Sequence, residues 1–508
     1  MVAISHINNT TQLAAWTTDR TGRVLQQQES FLTAPATRRA CSRILSFQSR
    51  LLVCFSGLTV AASTTNKDAL TVRTSTGIFT GQLNHTYPNV REFLSVPYGQ
   101  DTTGKNRFQP PLAVPKSSEK FDATKYPPLC PQYVSSKRSN WTKEIPQFVP
   151  YSGASNLTAG ISAPFASEDC LKLAIWTPAN ATPNSHLPVV LFWTGGGFES
   201  GGILIPAQLP PRWVSRSQSH IVVTINYRLD ILGFPNGAAV PRQNLGLLDQ
   251  RLSLEWTASD TTRATFTLVA KGVGCDFPTD ATAELVCMQN VDYNKIIAFI
   301  GRYQSSGQKP SINFGTETDD KIVFSNYTER YQQGLLARVP TIFSSTANEG
   351  GTLATFDPDH PLQGVNQTAA NDFTISFLCG AAALRNGLGL PRYRYQYAGN
   401  WTNQSPLPFM GAYHASDLTM LFGTYADGVG PSSPLEVETS EKMEDLLLAF
   451  VRDPWHGLTR SSWPAYDPKA ENGGTVLRFG ADGKAVQQLG AHDVEAICSG
   501  KGTYNPSP

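Results

Sequence analysis

The sequence predicts an α/β protein built on an open, mostly parallel sheet. Three observations carry that expectation. Leu187 to Trp193 (LPVVLFW) and Ile221 to Asn226 (IVVTIN) are short apolar runs of the kind buried on both faces of a sheet. Residues 244–256 (NLGLLDQRLSLEW) place Leu245, Leu248, Leu252 and Trp256 at helical spacing, with Asn244 as N-cap. Strand, long turn, strand, helix is how such a sheet begins.

The other elements follow along the chain. Residues 70–83 (LTVRTSTGIFTGQL) alternate and turn at Gly77, as a hairpin does. Residues 109–168 are rich in Pro, Ser and Asn and read as loop. A doubly wound sheet requires another strand soon after the helix at 244–256, but none is visible, and 257–338 read as polar helices and loops. The next strands are Val339 to Ser344 (VPTIFS) and Arg392 to Tyr397 (RYRYQY), and Ser440 to Arg452 (SEKMEDLLLAFVR) is an amphipathic helix. With no internal repeat and no low-complexity linker, 69–508 reads as one domain.

Residues 1–65 read as an N-terminal extension containing a signal-like segment at 38–63. Arg38, Arg39, Arg43 and Arg50 precede the apolar run Leu51 to Ala62, and Ala61-Ala62-Ser63 supplies small residues for cleavage. The run is too short to span a bilayer. A signal of this kind belongs at a start, so two readings stand. Either residues 1–40 lie upstream of the true start, or the run is a buried segment of an unusual extension. Eight N-x-S/T sequons, at Asn84, Asn140, Asn156, Asn180, Asn326, Asn366, Asn400 and Asn403, lean towards a secreted, extracellular glycoprotein.

Composition narrows the function. Of 508 residues, 41 are Lys or Arg and 40 Asp or Glu, a net charge of +1, so no nucleic-acid partner or acidic membrane surface is expected. The eight cysteines (Cys41, Cys54, Cys130, Cys170, Cys275, Cys287, Cys379, Cys498) form no CxxC pair and no zinc spacing, so neither metal nor cofactor is expected.

Three motifs carry chemistry. Thr194-Gly195-Gly196-Gly197-Phe198 follows a buried strand, where glycines let bare N–H groups approach a ligand oxygen. Glu349, in Asn348-Glu349-Gly350-Gly351, stands just past the strand at 339–344, where open α/β sheets place reactive groups. His414, in Gly411-Ala412-Tyr413-His414-Ala415-Ser416-Asp417-Leu418, sits in a loop as a candidate general base. Taken singly, each also fits an ordinary turn, a solvated glutamate or a structural histidine. Glycine loop, acid and histidine in that chain order match the α/β-hydrolase arrangement, with a serine expected between the first two.

At these residues the chain resembles the type-B carboxylesterase/lipase family, the cholinesterase-like α/β-hydrolases, and most closely its fungal secreted members. Phe93 to Gln100 (FLSVPYGQ), Arg107 to Pro111 (RFQPP), Ser167 to Leu171 (SEDCL), Asn226 to Leu229 (NYRL) with Gly233-Phe234, and Asn244 to Gln250 (NLGLLDQ) carry the likeness. It implies a carboxylic ester hydrolase acting on a small-molecule ester. Gly196 and Gly197 would be the oxyanion donors, with Gly195 holding the turn. Glu349 would orient His414, and His414 would take and return the proton. Cys130 would pair with Cys170 and Cys275 with Cys287, while Cys379 and Cys498 pair by no trusted motif.

The departure is the nucleophile. The family carries G-E-S-A-G on a strand–turn–helix after NLGLLDQ, whereas this chain runs from Leu254-Glu255-Trp256 into Thr257-Ala258-Ser259-Asp260. No G-x-S-x-G occurs anywhere; Ser200, in Phe-Glu-Ser-Gly-Gly, lies within the oxyanion segment itself. The sheet is therefore expected to lack one central strand and the nucleophile helix. A catalytically inactive or repurposed binding protein on the same scaffold is the alternative reading.

Overall fold

The computed structural model describes residues 2–7 and 10–15 as backbone. From residue 70 to 508 it describes all but 134–138, 151–165, 241, 256–265, 278–279, 307–329, 331–332, 334–338, 384–390 and 468. The signal-like segment, Cys41, Cys54, Asn156 and Asn326 lie outside the described residues.

Fourteen strands form two sheets among the described residues. The small sheet holds β3 (Thr71–Thr74), β4 (Gly77–Thr80) and β7 (Lys120–Asp122) in the order β3-β4-β7. The expected hairpin is there, with Thr74 paired to Gly77.

The large sheet holds β1 (Val2–Ile7), β2 (Thr10–Ala15), β5 (Gln82–Leu83), β6 (Val90–Pro97), β8 (Lys172–Pro178), β9 (Val189–Trp193), β10 (Ile221–Ile225), β11 (Thr341–Thr346), β12 (Arg392–Tyr397), β13 (Thr475–Ala481) and β14 (Lys484–Gly490). Its order is β14-β13-β12-β11-β2-β1-β9-β10-β8-β6-β5. The pairs β1·β9, β9·β10, β11·β12 and β12·β13 are parallel. Antiparallel pairs finish both flanks, through β10·β8, β8·β6 and β13·β14.

The centre of the sheet is filled from the N-terminal segment. Among the described residues no strand lies between β10 and β11 in the chain, yet the sheet is continuous, because β1 and β2 from the N-terminal segment stand between β9 and β11. Four of the five residues of β9 and five of the six of β11 are buried. Buried backbone N–H and C=O groups need partners, and the hairpin supplies them.

Family motifs act as struts around this sheet. Arg228 of NYRL and Asp249 of NLGLLDQ form a bidentate pair, Nε–Oδ2 2.8 Å and Nη2–Oδ1 2.7 Å, with both side chains buried. The Arg228 Nη1 group also donates to the Gln109 carbonyl at 2.8 Å, tying in RFQPP. Arg107 clasps Glu168 of SEDCL (Nε–Oε1 2.7 Å) and donates to the Met288 carbonyl at 2.8 Å. These charges satisfy each other at depth, where a lone member would be costly.

Disulfides join Cys130 to Cys170 and Cys275 to Cys287, as the resemblance implied, and also Cys379 to Cys498. The helix expected at 244–256 spans Leu245–Glu255. That expected at 440–452 begins earlier, at Pro434, because Ser433 and Glu436 form a capping box there. No described helix is long and apolar enough to cross a membrane.

Candidate active site

The parallel strands β9, β11 and β12 send their chain ends to one edge of the sheet, and all three motifs follow them there.

β9 ends at Trp193, whose indole N–H donates to Ser253 Oγ at 2.9 Å in the helix Leu245–Glu255. Trp193 is thus a core residue. Beyond it the chain turns sharply. The N–H groups of Glu199 and Ser200 both donate to the Gly196 carbonyl at 3.1 Å. Gly196 has φ +119°, and a Cβ there would lie 2.1 Å from the Ser200 carbonyl oxygen. Gly197 has φ +63° and open space about it. Only glycine meets the first requirement, and it meets the second without strain. Both residues are exposed, so the turn is reachable by a ligand.

The loop is clamped from behind. Gln132 receives the Gly201 N–H at 2.9 Å and donates to the Gly201 carbonyl at 2.8 Å. Tyr227 donates its hydroxyl to the Thr194 carbonyl at 2.9 Å. Beneath the turn, Asp230 donates its N–H to the Phe198 carbonyl at 2.8 Å. Burial, with the charge of Glu199 added, pushes the Asp230 carboxyl up to about 7, and burial raises Glu199 as well. Ser200 lies inside this clamped turn, its N–H bonded to the Gly196 carbonyl.

The acid and the histidine are built as one unit. Asn348 donates its N–H to the Ala412 carbonyl at 2.9 Å and its side-chain amide to the Phe409 and Met410 carbonyls, both at 2.8 Å. This stitches the turn after β11 to the loop carrying His414. The Glu349 carboxylate accepts the Thr346 N–H at Oε1 (2.6 Å) and His414 Nδ1 at Oε2 (2.7 Å). Gly350 donates to Thr374 Oγ1 at 3.0 Å, and a Cβ on it would meet the Ala370 carbonyl oxygen at 1.9 Å. The helix Gln367–Ala383 therefore lies directly against the acid turn.

Burial alone would lower the His414 imidazole, but the hydrogen bond and charge of Glu349, helped by Asp417, hold it above its ordinary value. Asp417 accepts the Tyr395 hydroxyl at 2.8 Å at Oδ2, while its buried Oδ1 has no partner. Burial and then the Glu349 charge push Asp417 up to about 6. Trp141 and Phe377 pack against His414 in T-shaped arrangements, at 6.2 and 5.2 Å between centroids.

Asp417, Trp141, Phe377 and Gln132 were not singled out from sequence. Asp417, three residues past His414 in the same motif, was the most accessible of them. Trp401 donates to Tyr397 Oη at 2.9 Å and packs on the core. Gly196 and Gly197 share the sheet edge with Glu349 and His414. However, β1 and β2 stand between their strands, three strand spacings or about 14 Å apart.

The sequons divide. Asn180, Asn366 and Asn400 are exposed, and Asn84 is half-buried with its amide on Glu92 at 2.8 Å. Asn140 is 1% exposed, and Asn403 is 5% exposed with its amide donating to Tyr425 O and Ser432 Oγ at 3.3 Å. A glycan fits neither of these two without opening the fold.

A chlorogenic acid esterase of Aspergillus niger is 33% identical over 509 residues, covering 86% of this chain and 96% of the relative. The chain belongs to the carboxylesterase family. The family profile itself matches residues 68–262. Secreted lipase 5 of Gibberella zeae is 31% identical, over 85% of this chain and 94% of the relative. Acetylcholinesterase of Electrophorus electricus is 37% identical over 171 residues, a third of this chain. By family this carboxylesterase-like chain is a carboxylic ester hydrolase with an α/β-hydrolase fold.

Proposed function

We propose that residues 69–508 form a carboxylic ester hydrolase unit in which Glu349 and His414 are the acid and general base, and Gly196 and Gly197 the oxyanion donors. The observation that carries this reading is the 2.7 Å contact between His414 Nδ1 and the buried Glu349 carboxylate, which orients the imidazole and stabilises its protonated form. We propose further that acylation is lost with the missing G-x-S-x-G strand, turn and helix. His414 then acts as base towards water: it takes a proton from water as the oxygen attacks the ester carbonyl, and returns it to the leaving alkoxide. Without the serine, a built site retains a rate enhancement of roughly 10³–10⁴ over water.

The relatives' names support a small-molecule ester as substrate, and their secreted members support export, as do three disulfides. The missing elbow favours a second reading, in which the scaffold binds without hydrolysing.

The test has two arms. Transcript reads across codons 256 and 257 show whether an in-frame segment encoding G-x-S-x-G exists; finding one would make the elbow's loss a feature of this sequence alone. Purified protein is then assayed on an activated phenyl ester beside a His414→Ala variant. Slow hydrolysis that falls with the variant supports the base-only reading, and equal rates leave the binding reading in its place.

A further inference from the structure

The chain between β10 and β11 supplies no described strand, yet the two halves of the sheet are joined. The joint is narrow and specific. Val2, Ala3, Ile4 and Ser5 of β1 run parallel to Val190, Leu191, Phe192 and Trp193 of β9. Gln12, Leu13 and Ala14 of β2 run antiparallel to Phe343, Ile342 and Thr341 of β11. The two strands pair with each other from Val2↔Ala15 to Ile7↔Thr10. β1 carries Val2, Ile4 and Ile7 and β2 carries Thr10 and Thr11, residue types that a pleated surface prefers.

Removing this hairpin would turn β9 and β11 into facing open edges. Both strands are buried along most of their length, so their backbone groups would lose partners at depth. The glycine loop and the acid turn hang on these two strands, so the insert also sets the width of the site. One strand would hold β9 and β11 about 10 Å apart, and two hold them about 14 Å apart.

We propose that residues 2–15 are a permanent two-stranded insert of the central sheet, standing where the family's nucleophile strand would be. The folded chain therefore retains its N-terminal segment. Cleavage at Ala61-Ala62-Ser63 would sever the hairpin from the domain it completes, so processing there and this fold exclude each other. The inference is independent of the ester-hydrolase reading, because its readouts are mass and exchange.

The experiment is hydrogen exchange with intact-mass analysis on the purified full chain. The expected result is a folded protein that still contains residues 2–15, with amides in 2–7 and 10–15 slowed at least about a thousandfold relative to an unstructured peptide. Leu13→Pro, which removes a backbone donor within β2, should lower the thermal midpoint clearly. A folded, soluble protein beginning near residue 63 would overturn the proposal. So would free exchange across 2–15 in the intact chain, whether the slot is then closed by β9 meeting β11 or filled by a second copy. If Leu13→Pro does not accumulate, exchange on the unaltered chain decides alone.

Discussion

At the scale of single residues, two histidines with opposite environments give opposite pH behaviour. His414 is held above its ordinary value despite burial, because Glu349 and Asp417 favour its charged form. Its pairing stabilises the fold fully below the unfolded value near 6.5, and that contribution is lost as pH rises through the raised folded value. As a base it must be neutral, so any hydrolysis should rise with pH through that same range. Glu349→Gln removes the main cause, and the His414 imidazole should then titrate lower, as read by NMR of the ring nitrogens. His220 is the reverse case. It is fully buried, its Nδ1 lies 2.7 Å from Ser217 Oγ, and its Nε2 has no partner. Burial first, then Arg452 and Arg216, push it down to about 3. Its folded value is depressed, so stability is present above about 6.5 and falls as pH drops towards about 3, by about 1.4 kcal/mol per pH unit. Urea unfolding of His220→Phe across that range should show a flatter slope than the parent chain.

At the scale of elements, the acid turn is held by a helix and the helix by a disulfide. Gly350 meets the helix Gln367–Ala383 too closely for any side chain. Gly350→Ala should destabilise the chain by several kcal/mol, as other changes that overfill a packed contact do, and should separate Glu349 from His414. Urea midpoints and the His414 titration read both effects. Cys379, in that helix, is bonded to Cys498. Cys379→Ser with Cys498→Ser should lower stability by about 2–5 kcal/mol in the same assay.

Element by element, the sequence was unevenly legible. β12 coincides with the strand expected at 392–397, where Tyr alternates with Arg and Gln, and β9, β10 and β11 fall within about two residues of the expected strands, because strands buried on both faces leave largely apolar text. The β13–β14 hairpin was passed over although Asp482-Gly483, with φ +54° and +67°, is a strong turn signal. β1 and β2 were not legible at all. Each is a six-residue stretch whose stability comes from the strands beside it, so nothing local announces it.

At the scale of the whole molecule, the motifs that name the family are mostly struts and only partly chemistry. RFQPP, SEDCL, NYRL and NLGLLDQ meet through the Arg107–Glu168 and Arg228–Asp249 pairs. The acid and histidine were legible because chain order reveals them. Their buried neighbour Asp417 and the rings of Trp141 and Phe377 arrive from tertiary packing that no spacing encodes. The result is a carboxylesterase-family scaffold in which Glu349 and His414 are paired, the glycine loop is formed, and the centre is closed by strands from elsewhere in the chain.

The central claim is that this assembled site does not acylate. Intact-mass analysis of the purified chain after exposure to a fluorophosphonate tests it most directly. The account predicts no adduct under conditions that label a serine esterase to completion. A stoichiometric adduct on any serine would contradict it, and its loss in Ser200→Ala would place the nucleophile inside the glycine-loop turn.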